Sequence, residues 1–115
     1  MKTMIMLHEG IINKYSLDAA YVVAVLGQMI VNKKGTNKDF YDNKYWIFED
    51  IEFLKEEKGK FKDLSLNKVK KVIKELEKAG ILEVKRIDGV KGITIDYKAL
   101  FKEAEEGMEI NKIRD

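Results

Sequence analysis

The stretch from Ser65 to Tyr97 constrains this chain more than any other. Val69, Val72, Ile73 and Leu76 recur at the i, i+3, i+4, i+7 spacing of a helix with one buried stripe. Ser65 stands where an N-cap accepts a hydrogen bond from the first free amides, and Ala79-Gly80 ends the run with the residue that takes a left-handed terminus at little cost. The period then changes. Ile81 to Ile87, a turn at Asp88-Gly-Val-Lys-Gly92, and Ile93 to Tyr97 predict a β-hairpin, with Ile93, Ile95 and Tyr97 alternating with Thr94 and Asp96. An amphipathic helix followed at once by a hairpin buries its stripe by layering against further helices.

The rest of the chain supplies them. Ser16 predicts a helix over Leu17 to Asn32, apolar nearly all round through Leu17, Ala20, Tyr21, Ala24, Val25 and Met29, with Lys33-Lys34-Gly35 ending it. Thr36 to Asn43 reads as a loop into a short strand, Tyr45-Trp-Ile-Phe48. Glu49 and Asp50 suit the positive end of a short helix that carries Ile51 and Leu54 inward, and Gly59 lies just past its end. After the hairpin, Tyr97, Leu100, Phe101 and Ala104 give one apolar face to a last helix, with Glu103, Glu105 and Glu106 outward. Met108 to Asp115 reads as a frayed tail. The fold class expected is α+β and mainly helical, in one domain spanning 1–115: core about 16–106, flexible tail 107–115. Its parts are a three-helix core, a β-hairpin wing, a short extra strand before helix 2 and a C-terminal helix.

With 115 residues, 45% of them hydrophobic, the chain can bury one core without staples. The absence of cysteine removes disulfide frameworks, zinc ribbons and thiol chemistry. The opening Met1-Lys-Thr-Met-Ile-Met-Leu-His-Glu has too few apolar residues for a signal-peptide core, so a cytoplasmic protein is expected. Ala19 to Val31 is broken by Gly27 and Gln28 and is shorter than the roughly 20 residues of a membrane span. No membrane partner is expected. His8 is the only histidine and has no companion nucleophile. Glu49, Asp50 and Glu52 lack the regular oxygen spacing of a hard-cation loop. The glycines form neither GxGxxG nor GxxxxGK[ST]. The reading is therefore of a non-enzyme, with no catalytic residues, cofactor or metal.

Charge points elsewhere. The net charge is only +2, but Lys58, Lys60, Lys62, Lys68, Lys70, Lys71 and Lys74 lie close together against the single Asp63, leaving the rest of the chain at −4. If Val69, Val72, Ile73 and Leu76 face the core, Asn67, Lys68, Lys70, Lys71 and Lys74 project outward, because one helical position cannot serve both faces. A B-DNA major groove admits one helix, and lysines along it neutralise phosphates and release counterions. Asn67 can pair with adenine, and Ser65, first of all a cap, can add a phosphate contact. Lys91 in the hairpin turn and Arg86 near its tip can touch the neighbouring backbone or reach into a minor groove. Tyr45 and Trp46 are assigned to the core or its edge.

Helix, helix and hairpin in this order are the winged helix-turn-helix arrangement. Leu64-Ser-Leu-Asn-Lys-Val-Lys-Lys-Val-Ile-Lys-Glu-Leu-Glu-Lys-Ala-Gly-Ile-Leu82 resembles the recognition helix and wing entry of bacterial winged-helix proteins. With Leu17-Asp-Ala-Ala20 and Tyr45-Trp46, the chain resembles winged-helix modules of phage and plasmid replication-initiation proteins of low-GC bacteria, and more loosely MarR-like transcription regulators. The resemblance implies double-stranded DNA binding through the helix at 65–79 and the wing at 81–97, with Asn67, Lys68, Lys70, Lys71 and Lys74 on DNA, in replication initiation or transcription regulation. Replication or transcription proteins are the further partners it implies. Two features depart from the family: Lys58 to Leu64 is longer than the usual turn, and the helix carries no arginine. The alternative is a winged-helix module for protein interaction or oligomerisation that uses the acidic last helix, including a homodimer paired through terminal helices.

Overall fold

A computed structural model describes residues 2–36 and 38–114, with side chains for 8–36 and 38–109. It begins with an element the sequence pattern did not announce, helix α1 (Lys2–Lys14). Met4, Leu7 and Ile11 stand at i, i+3 and i+7, a stripe too short to announce a helix by itself. Its support is tertiary: α1 packs along the last helix, α5 (Tyr97–Arg114), and Ile11 is buried between them and the core. Helix α5 runs past the end expected near Glu106. Asp96 starts it, its carboxylate accepting from the Ala99 amide at 3.1 Å.

Helix α2 (Leu17–Lys33) is capped as its sequence predicts, with the Ser16 hydroxyl accepting from the Ala19 amide at 3.0 Å. Of the residues that make it apolar nearly all round, Ala20 is buried and Tyr21, Val25 and Met29 pack half-buried against the core. Ala19, Ala20, Val22, Leu26 and Ile30 are buried, whereas Leu17 is 62% exposed and Ala24 also faces out. A helix apolar on every side offers no polar stripe from which to tell its faces apart.

The expected loop at 36–43 contains structure. Strands β1 (Phe40–Tyr41) and β2 (Lys44–Tyr45) pair antiparallel across Asp42 and Asn43, both with positive φ. Trp46 follows, fully buried, its Nε1–H donating to the Tyr41 carbonyl at 2.8 Å. The strand expected at 45–48 narrows to one antiparallel bridge, in which Ile47 and Ile93 exchange backbone bonds of 2.8 and 2.9 Å.

Helix α3 (Ile51–Glu56) buries Ile51 and Leu54 as expected. Helix α4 (Leu66–Lys78) buries Val69, Val72, Ile73 and Leu76, and the Ser65 hydroxyl accepts from the Lys68 amide at 3.2 Å. Strands β3 (Leu82–Ile87) and β4 (Val90–Ile95) then form the hairpin. Its turn is tighter than the five residues expected: Ile87 pairs with Val90, and only Asp88 and Gly89 intervene, both at positive φ. Gly92, read as part of the turn, is a buried strand residue; a Cβ there would meet the Phe48 ring at 3.0 Å and the Trp46 ring at 3.2 Å. The result is a small α+β domain of five helices and two hairpins among the described residues, with one core shared by α1, α2, α4, α5 and the β3–β4 pair.

Candidate nucleic-acid interface

The two faces of α4 separate by residue type. Val69 and Leu76 are fully buried and Val72 and Ile73 nearly so, while Asn67, Lys68, Lys70, Lys71 and Lys74 are all exposed. Lys68 reaches the Asp18 carboxylate on α2 at 3.7 Å, with both side chains substantially solvated, a contact too open and long to hold the charge. Among the described residues, Lys70, Lys71 and Lys74 have no carboxylate within salt-bridge distance. Their ammonium groups face water unpaired, with the exposed carboxylates of Glu75 and Glu77 on the same helix beyond salt-bridge distance. Ser65 caps the helix through its oxygen, so its hydroxyl hydrogen stays available to an acceptor beyond the helix end.

The hairpin brings the other two candidates together. Arg86 and Lys91 are cross-strand partners, both exposed, with Lys91 on β4 rather than in the turn. An Arg86 guanidinium nitrogen donates to the Gly89 carbonyl at 2.8 Å, which folds that side chain over the turn. The tip itself carries Asp88, and the Ile87–Val90 pair separates it from the basic pair. Hairpin and α4 are joined tightly: the Ile81 amide donates to the Leu76 carbonyl at 3.0 Å, and the Ile81 carbonyl accepts from the Asp96 amide at 2.8 Å.

Other lysines nearby are engaged. Lys44 pairs with Glu83 at 2.7 Å and Lys85 with Asp42 at 2.8 Å, so the β1–β2 hairpin is tied to β3 by reciprocal ion pairs. The Lys85 ammonium holds the Asp42 carboxyl below its ordinary value, and Asp42 in turn raises Lys85. Tyr45 stacks on Phe40 at 4.7 Å and its hydroxyl donates to the Lys34 carbonyl at 3.2 Å, so both aromatics of the Tyr45-Trp46 pair are packing residues.

The acidic last helix is arranged differently from its expected face. Phe101 is 38% exposed, and Glu103 turns inward to α1, accepting from Lys14 at 2.7 Å and from the Tyr15 hydroxyl; Lys14 also pairs with Glu106. These bonds hold the Glu103 carboxyl below its usual range and raise Lys14. Burial, with the bond to Glu103 added, pushes the Tyr15 phenol up to about 12. On the far side, His8, Ile11, Ala24, Gly27, Val31 and Tyr97 line an apolar groove of about 300 Å³. Glu49 lies 3.5 Å from Lys33, and no set of three or more His, Cys, Asp or Glu side chains converges to hold a metal among the described residues. Nor, among them, is any helix long and apolar enough to cross a membrane.

Phe61 is the residue that sequence reasoning passed over. It is 1% exposed, packs edge-on to Tyr21 at 6.5 Å, and fixes the connection between α3 and α4. The available signal was a lone aromatic within a lysine-rich run, Lys60-Phe61-Lys62. Compared with family models, with curated proteins and with solved structures, the chain matches none.

Proposed function

We propose that this chain is a cytoplasmic winged-helix protein that binds double-stranded DNA, with α4 in the major groove and the β3–β4 hairpin as its wing, acting in replication initiation or transcription regulation. The observation that carries the reading is the row Lys70, Lys71 and Lys74, exposed and free of carboxylate partners among the described residues, directly opposite a buried stripe. A rigid helix with one face anchored and the other cationic presents point charges at fixed spacing to a polyanion. Asn67 can pair with an adenine edge in two bonds, and the other outward residues are lysines whose point charges suit phosphates, so affinity comes chiefly from the backbone and sequence preference is modest. The Ile47–Ile93 bridge supports the assignment by adding a third strand segment to the hairpin.

The interaction-module alternative drew on the acidic last helix, and there Glu103 and Glu106 are already bound to Lys14. The one ammonium offsets one of these two carboxylates, so the charge this helix offers a partner is reduced. A titration of binding to random-sequence duplex against salt tests the proposal: four or five lysine contacts give a log–log slope of roughly −4, at about −0.9 per phosphate. A flat response, or none, refutes it.

A further inference from the structure

The connection between α3 and α4 contains a residue whose backbone lies where its side chain is penalised. Phe61 has φ 56°, in the left-handed region that a bulky residue occupies at a cost on the order of 1–3 kcal/mol. The cost is met by its surroundings. Its ring is buried against Tyr21, its carbonyl accepts from the Leu64 amide at 3.2 Å and from Lys55 Nζ at 3.4 Å, and the neighbouring Lys60 amide donates to the Leu54 carbonyl at 3.0 Å. The connection is therefore held in one conformation rather than left to wander.

With Phe61 turned in, the lysines around it are left outside its pocket. Lys58 and Lys62 are exposed and Lys60 is half-buried, and none has a carboxylate within salt-bridge distance among the described residues. Lys58 lies over the Phe53 ring at 5.7 Å, a contact that orients the ammonium without neutralising it. Position follows from α2. Its N-terminal half carries Tyr21, which holds Phe61, and Asp18, which meets Lys68 in the first turn of α4. Connection and helix start are thus held against the same stretch of α2, which sets Lys58, Lys60 and Lys62 in the segment leading to the α4 N-cap.

We propose that Lys58, Lys60 and Lys62 form a second phosphate-binding element, pinned by Phe61, that engages the DNA backbone beside the groove occupied by α4. This rests on the DNA-binding reading above and extends it to residues off the helix. Ammonium groups on phosphates fix register and add affinity without reading bases. It also gives the unusually long connection a purpose.

The experiment is fluorescence anisotropy of a labelled random-sequence duplex with the full chain across a salt series, comparing wild type with K58Q/K60Q/K62Q and with K70Q/K71Q/K74Q. Circular dichroism melts check that each variant is folded. With both elements engaged the wild-type slope steepens from roughly −4 to roughly −6 or −7, and the connection variant is expected to be shallower than it by about two to three, at roughly 0.9 per phosphate contact. A wild-type slope in that variant, alongside a flattened slope in the α4 variant, overturns the second element and leaves the DNA reading standing. Absence of salt-dependent binding by the wild type overturns both. A gain variant guards against loss of folding: Asp63→Lys steepens the slope, and Glu105→Lys on α5, with the same change in net charge, does not. Equal steepening by the two refutes a localised element.

Discussion

Gly107 of α5 lies directly against Gly10 of α1, so near that a Cβ on Gly107 would stand 2.6 Å from the Gly10 carbonyl carbon and 2.9 Å from its Cα. The reverse side is as tight: a Cβ on Gly10 would lie 2.7 Å from the Ala104 Cα. The obstacles are backbone atoms, which cannot swing aside as a side-chain end can. Ordinarily Gly→Ala inside a helix gains up to about 1 kcal/mol from propensity. Here overpacking costs about 1–3 kcal/mol or more. Gly107→Ala is therefore expected to lower the thermal unfolding midpoint by several degrees, while Gly35→Ala, with nothing within 4 Å of its Cβ position, leaves it nearly unchanged. An unchanged or raised midpoint for Gly107→Ala would show that the two helices do not cross there.

That glycine also explains why the ends of the chain were hard to read. In sequence, 107–115 reads as a tail, and only the partner helix reveals that Gly107 permits close approach. Helix α1 was illegible for a related reason: α5 stabilises it, and its own stripe is too short to announce it. Where local pattern and tertiary role coincide, as at Val69, Val72, Ile73 and Leu76, the buried face was legible residue by residue. Around α2 every face is apolar, so pattern could not choose among them. At the hairpin the turn reads from sequence as the five residues 88–92, whereas Asp88 and Gly89 alone close it because both take positive φ. The outward lysines were legible as a set, but which of them have carboxylate neighbours depends on Asp18, fifty residues earlier in the chain.

Changing Lys70, Lys71 and Lys74 together to Glu reverses charge at three exposed positions that have no ion pair or side-chain hydrogen bond among the described residues. Duplex binding is expected to be lost at every salt concentration, with the thermal midpoint moving little, since exposed substitutions usually stay within about 0.5 kcal/mol each. A collapse of the midpoint would place these residues on the buried side of α4. Retained binding would remove α4 from the interface.

Ser65 separates stability from binding. Ser65→Ala removes the acceptor for the Lys68 amide and is expected to cost about 1 kcal/mol in denaturant unfolding. Ser65→Asp keeps a good cap and favours the positive helix end, so stability is retained, yet it sets a carboxylate at the edge of the lysine row and weakens duplex binding. If Ser65→Asp binds as well as wild type, phosphates do not approach this end of the helix.

The Lys14, Tyr15, Glu103 cluster gives the α1–α5 contact a defined pH response. Glu103 has its carboxyl held down chiefly by Lys14 and then by Tyr15, so it is ionised more readily in the folded chain than in the unfolded one. Its contribution is present above the ordinary carboxyl value of 4.5 and disappears as pH falls through the depressed folded value. Lys14 and Tyr15 act with the opposite sign. Both are raised on folding, so their contribution is intact below their unfolded values and fades at alkaline pH, for Tyr15 between 10.0 and about 12. An ultraviolet absorbance titration of the phenols is expected to show one tyrosine ionising near 12, absent in Tyr15→Phe. Tyr97, raised by burial alone, keeps a delayed titration in that variant. Glu103→Gln is expected to bring the latest phenol back toward 10.0, because it replaces the carboxylate that accepts the Tyr15 proton with a neutral group. A late phenol that persists unchanged in Glu103→Gln would mean that burial alone holds the proton on Tyr15 and that the Glu103 carboxylate does not accept from it.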